Sequence, residues 1–137
     1  AKEASVVALN PDDGAVVWKT PGAAPAYGSF IAAKLGGRDQ VVGHDSISLG
    51  GWDLQTGERL WTLTPAFPDD FNVPTPVVVA GQLLVTSENN GTRLYRFDAD
   101  GVIDPAPVAE NEDLAADICT PVVVGRLGRA RRGDPQG

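Results

Sequence analysis

The sequence predicts an all-β chain forming part of a β-propeller with four-stranded antiparallel blades, because two strings recur at blade spacing and the runs between them read as short strands. ALNPDDGAVVW at Ala8–Trp18 returns as GWDLQTGERLW at Gly51–Trp61, so Asn10, Gly14 and Trp18 are each matched 43 residues later, by Asp53, Gly57 and Trp61. PTPVVVAG at Pro74–Gly81 returns as CTPVVVG at Cys119–Gly125, with Thr75 and Thr120 45 residues apart. A period of roughly 20 to 50 residues signals a repeat architecture, in which one unit buries its apolar face only against its neighbours. Weaker third copies keep the phase. In GSFIAA, Ser29 stands 46 residues before Thr75, and YRFDADG keeps Asp98 and Gly101 with a turn one residue shorter and no tryptophan after it.

Taken in order, Ser5 to Thr20 reads as the last two strands of one blade, residues 26–64 and 72–108 as complete blades, and Cys119 as the start of another. In the best-defined unit, Pro76 to Ala80 is a strand, Gly81 turns the chain and Gln82 to Ser87 is the second strand. Asn90-Gly91 suits a two-residue type I′ turn, since both residues accept positive φ, and Thr92 to Asp98 follows as the third strand. A five-residue turn, Asn10 to Gly14 or Asp53 to Gly57, leads into a fourth strand, VVWKT or RLWTL. Its first residue bonds back to turn amides, and its glycine takes the left-handed conformation without a Cβ clash. Four strands in roughly 40 to 45 residues is the size of a propeller blade. The tryptophan is expected to close the gap between adjacent sheets.

Two full blades and two partial ones fall short of the roughly four to eight that close a ring. The sequence thus reads as a repeat fragment over residues 1–125, cut within a blade at each end. Residues 126–137 abandon the repeat as a basic tail, read as disordered or out of frame. The partners expected on this reading are the remaining blades of a parent propeller or another protein, with self-association through exposed blade edges as a further route.

Composition narrows the function classes. The chain has 137 residues, 42% of them apolar, with 16 glycines and 11 prolines punctuating short strands. No apolar run approaches the roughly 18 to 20 residues that span a bilayer. A formal net charge of −7, with four of the eleven basic residues in the last twelve positions, leaves an acidic body that repels nucleic acid. The one cysteine, Cys119, has no internal partner for a disulfide and is expected to be a buried, inert thiol. The chain starts at Ala1 with no leader pattern, so the residues leave localisation open.

ALNPDDGAVVW and GWDLQTGERLW resemble the signature A-x-D-x-x-[TD]-G-x-x-x-W of the pyrroloquinoline-quinone-like β-propeller repeat, and the likeness covers most of residues 5–125. That family includes quinoprotein alcohol and glucose dehydrogenases together with propellers that have lost the cofactor, among them the outer-membrane assembly lipoprotein. The resemblance implies a bacterial, periplasmic or secreted propeller, while fold alone does not carry the chemistry. In the alcohol-oxidising members adjacent cysteines form a vicinal disulfide over the quinone, a tryptophan forms its floor, and Glu, Asn and Asp bind calcium. With one cysteine, and with Trp18 and Trp61 at signature positions and Trp52 in the place of Leu9, no quinone motif transfers to this chain.

Six polar residues stand out. His44-Asp45 is either a structural or solvated loop pair or a base or metal ligand. Glu88, Asn89 and Asn90, followed by Arg93, are either a hairpin turn or a ligand cluster of oxygen donors. Both groups connect the second strand of a blade to its third, so they are expected on one rim, where they can form a composite ligand site. Asp98, Asp100 and Asp104 miss the spacing of a calcium loop and read as an exposed turn. No phosphate loop, zinc-hydrolase or serine-hydrolase motif is present in the sequence. Neither a catalytic residue nor a metal ligand set is therefore assigned. The function expected is a non-catalytic binding or protein-interaction scaffold, with no cofactor in this chain. The alternative is a piece of a quinone-dependent dehydrogenase whose quinone and calcium sites lie mostly in other blades.

Overall fold

The computed structural model describes residues 6–125, which contain ten strands and no helix. Strands β1 (Val6–Leu9) and β2 (Val16–Thr20) pair as a two-stranded antiparallel sheet. A four-stranded sheet follows from β3 (Ile31–Leu35), β4 (Arg38–His44), β5 (Leu49–Asp53) and β6 (Arg59–Leu63), in chain order. The third sheet is β7 (Val77–Val79), β8 (Gln82–Ser87), β9 (Gly91–Tyr95) and β10 (Ala109–Asn111), also in chain order. These are propeller-like blades in an unclosed array: two whole, and the outer half of a third ahead of them. The basic tail, residues 126–137, lies outside the described residues.

Each repeated string has a structural cause. In all three copies of the first, a side-chain oxygen bonds back to turn amides. Asn10 Oδ1 accepts the N–H of Asp12, Asp53 Oδ1 those of Gln55 and Thr56, and Asp98 Oδ1 those of Asp100 and Val102. The turn closes at Gly14, Gly57 and Gly101, with φ of 74°, 73° and 78°. Trp18 crosses to the next blade, donating from Nε1 to the carbonyl of Leu54 at 3.1 Å and packing against Gly57. Trp61 makes the following crossing indirectly. Its Nε1 donates to Gln40 Oε1 at 2.7 Å, and Gln40 Nε2 donates to the carbonyl of Gly101 at 3.0 Å. The core, with Leu35, Val42, Leu49, Trp61, Leu83, Tyr95 and Ile103, sits between the two four-stranded sheets.

Four expectations are corrected. Ser87 pairs with Gly91, so the β8–β9 loop has three residues, and of Asn90 and Gly91 only Gly91 (φ 67°) takes positive φ, which a type I′ turn does not allow. The two-residue type I′ geometry occurs instead at Gly36-Gly37 and Ala80-Gly81, where both residues have positive φ. In the third sheet the outer strand starts only at Ala109, because Pro105 and Pro107 cannot donate to a ladder and delay pairing. No strand forms over residues 119–125. Cys119, outside any sheet, is exposed rather than buried.

Candidate functional site

The β4–β5 hairpin loop, the β8–β9 hairpin loop and the crossovers between sheets meet at one end of the array, as strand alternation requires. Each hairpin is tied to the crossover that precedes its blade. The first is held by Ser46 N–H on the carbonyl of Ala24, with Pro25 bridging to Asp45. The second is held from residues 64–76: Asn90 Oδ1 accepts the N–H of Phe67, and Asn90 Nδ2 donates to the carbonyl of Phe67 and to Asp70 Oδ2 at 2.7 Å.

Six residues were singled out in the sequence, and the fold gathers three of them. His44, Asn90 and Arg93 line one cleft between the two complete blades, with Leu49, Leu63 and Val85 as apolar wall. Asp45 turns away from it. Its Oδ1 accepts from the N–H groups of Ile47 and Ser48 and from the Ser48 hydroxyl, while Oδ2 pairs with Arg59 Nη1 at 3.2 Å. Arg59 also stacks over the Trp52 ring at 4.7 Å. Glu88 and Asn89 are exposed on the rim, where Asn89 Nδ2 donates to Asp70 Oδ1.

Asp70, Arg59 and Ser48 are the residues that sequence reasoning missed. Asp70 sits in a proline-rich crossover without strand alternation, and only its place ahead of the Pro74–Gly81 string marks it. Burial pushes its carboxyl up, but donors from Ser87, Asn90 and Asn89 outweigh burial and hold it below the ordinary carboxylate range. His44 moves the other way. Burial pulls its proton affinity down to about 4 against the opposing charges of Asp45 and Asp70, so the ring is neutral at pH 7. Its Nδ1 is buried with no hydrogen-bond partner among the described residues.

Arg93 reaches Asn90 Oδ1 at 3.3 Å and Glu110 at 3.6 Å, which occupies only part of a five-donor guanidinium. The described residues contain no group of three or more His, Cys, Asp or Glu side chains placed to hold a metal. Of the structural positions, Asn10, Gly14, Trp18, Asp53, Gly57, Trp61, Asp98 and Gly101 all lie in the turns and crossings described above.

Consecutive blades, Asx-and-glycine turns, and indoles reaching from one sheet to the next define a β-propeller repeat protein. Compared with family models, residues 2–123 match the one described as outer membrane protein assembly factor BamB, and the chain belongs to that family of PQQ-like repeats. No curated protein and no solved structure matches the chain. Among the described residues no helix is long and apolar enough to cross a membrane.

Proposed function

We propose that the chain is a non-catalytic propeller scaffold that binds a protein partner through the end where its crossovers and the β4–β5 and β8–β9 hairpins meet. One observation carries this reading. Tyr27 and Phe71, from two different crossovers, stack edge to face at 5.8 Å while remaining 74% and 63% exposed, with Phe67 a further exposed ring on the second crossover. Exposed aromatic rings are what protein interfaces use as anchors. The family description, an assembly factor, points the same way.

The acidic residues on this end support the non-catalytic part. Calcium takes oxygen ligands with lone pairs to spare. Asp45 accepts from three donors on Oδ1 and from Arg59 on Oδ2, and Asp70 accepts from Asn89 and Asn90 across both oxygens, so both carboxylates are committed to the fold. Asp45 and Asp70 therefore have no carboxylate oxygen free for the calcium of a quinone site, and no step is assigned through either group.

Two measurements test the reading. A photo-crosslinker at Tyr27 should trap a discrete partner in the cells that make the protein, and Tyr27→Ser with Phe71→Ser should abolish a purified partner's binding with the fold intact. Pyrroloquinoline quinone with calcium should leave the Tm unchanged and support no dye-linked oxidation of alcohols or sugars. Cofactor-dependent dye reduction would overturn it in favour of a dehydrogenase.

A further inference from the structure

We propose that the end of the array where the crossovers meet takes a cationic segment of a partner protein, one that alternates arginine or lysine with apolar side chains. The inference rests on the reading of this end as the binding face, and adds to it the chemistry of the partner.

The surface is continuous across three crossovers. Residues 21–30 are joined to residues 64–76 by the N–H of Gly28 on the carbonyl of Asn72 and by the contact of Tyr27 with Phe71. The second crossover is held to the β8–β9 hairpin by the amides of Asn89 and Asn90 on Asp70. Residues 112–118 return to the same hairpin, where Thr92 Oγ1 donates to the carbonyl of Leu114 and Thr86 Oγ1 accepts the N–H of Ala116. Tyr27, Phe67, Phe71 and Leu114 are the large apolar side chains that this surface leaves exposed.

The free charge among them is negative. Asp69, Glu88, Glu112, Asp113 and Asp117 are exposed, and none has an ion-pair partner among the described residues. No metal-holding group of acids forms among the described residues either, so no cation of that kind offsets them. The arginines of this end are already engaged, Arg59 by Asp45 and Arg93 by Glu110. Lys34 and Arg38 flank the β3–β4 turn at the opposite end, Arg96 pairs with Asp104, and Lys19 stands on the outer strand β2.

Rings and unpaired carboxylates together select the partner. A guanidinium or ammonium pairs with a carboxylate and also lies favourably on an aromatic face, while its apolar neighbours cover the rings. A neutral apolar partner would desolvate the carboxylates with nothing in return. An anionic lipid surface or a nucleic acid would be repelled. Opposite charge on the partner also speeds encounter and fixes its register.

The test titrates a fluorescent peptide that alternates arginine with leucine and phenylalanine into the full chain, followed by anisotropy. It should bind saturably, and more weakly as salt rises. A peptide of equal charge with serine in place of leucine and phenylalanine should bind much more weakly, and one with glutamate in place of arginine should not bind. Asp69→Asn with Glu88→Gln should weaken binding about fivefold, the effect of two exposed ion pairs. Asp12→Asn with Asp100→Asn removes the same charge from turns at the opposite end and should leave binding unchanged. All four positions are exposed, and thermal melts verify the fold of each variant. No saturable binding to the folded chain, equal binding of the serine peptide, or equal loss in the two double variants overturns the proposal. Self-association at rising concentration that the added peptide reverses overturns the assignment to a partner protein, and points to the four arginines of residues 126–137 in a second copy. A Tyr27 crosslink to a partner whose contact segment is neutral or acidic overturns the proposal and leaves the scaffold reading standing. Peptide binding by a chain that also reduces dye with quinone and calcium would uphold the proposal and overturn the non-catalytic reading.

Discussion

The backbone N–H of Thr75 donates to Oγ1 of Thr120 at 3.0 Å, and Oγ1 of Thr75 in turn accepts the N–H of Ser29 at 3.1 Å. These three positions are the hydroxyl residues of the recurring strand-entry string, one ahead of each inner-strand position. The string recurs because each copy supplies the acceptor for the copy before it, a staircase of hydrogen bonds stepping from repeat to repeat. Thr75→Val keeps the shape and deletes the acceptor for Ser29, and should cost about 1 kcal/mol in urea unfolding. Thr75→Ser should restore most of that loss. An unchanged midpoint for Thr75→Val would mean that the staircase does not contribute to stability.

Gly57 and Gly14 occupy the same turn position with nearly the same φ, 73° and 74°, but only Gly57 is covered by an indole. A Cβ at Gly57 would clash with Cε3 of Trp18, whereas one at Gly14 meets nothing within 4 Å. Gly14→Ala should therefore cost only the left-handed backbone penalty, about 1 to 2 kcal/mol. Gly57→Ala should cost clearly more and should also expose Trp18, seen as a red-shifted emission component. Equal losses in the two variants would show that the indole contact adds no stability.

Gln40 is fully buried and joins Trp61 Nε1 to the carbonyl of Gly101. Gln40→Leu keeps the volume and strands a buried indole N–H and a buried carbonyl, so a loss of about 2 to 4 kcal/mol is expected, the sum of two unsatisfied groups. Gln40→Glu, which keeps the acceptor for Trp61 and loses the donor to Gly101, should fall further if its carboxylate stays ionised. Unfolding curves of the two variants test this directly, and a neutral Gln40→Leu would show that the bridge can be dispensed with.

The blades were legible because their signals are local and repeated: Asn10 to Gly14 and Asp53 to Gly57 encode their own turns, and the phase between copies sets the blade boundaries. The β8–β9 turn was misread because Asn90-Gly91 fits two turn types, and register decided between them once Ser87 paired with Gly91. The candidate site was half legible. Strand alternation puts His44 and Asn90 at the same end, but Asp45 was claimed by Arg59, a residue fourteen positions on in the neighbouring strand, which no local motif ties to it. Asp70 was invisible for a related reason. Its role comes from a crossover folding back on a hairpin of the next blade, a long-range contact that no periodicity announces.

His44 gives the fold a pH dependence whose sign follows from burial. The unfolded chain holds this imidazole near the ordinary histidine value of 6.5, and the folded chain depresses it to about 4. Between those values the unfolded state binds more protons, so stability is complete above about pH 6.5 and is lost as pH falls toward 4. The loss amounts to about 3 kcal/mol if the whole shift is expressed, each pH unit being worth about 1.4 kcal/mol. Asp70 is depressed as well, but its contribution is lost only as pH falls below the ordinary carboxylate value of 3.8, so the two windows separate. Urea midpoints measured from about pH 8 to about pH 3 should thus be flat to about 6.5 and then decline. His44→Phe should flatten the upper part of that decline and leave the fall below pH 4 in place. A wild-type curve that stays level down to pH 4 would mean that the ring reaches water in the folded chain.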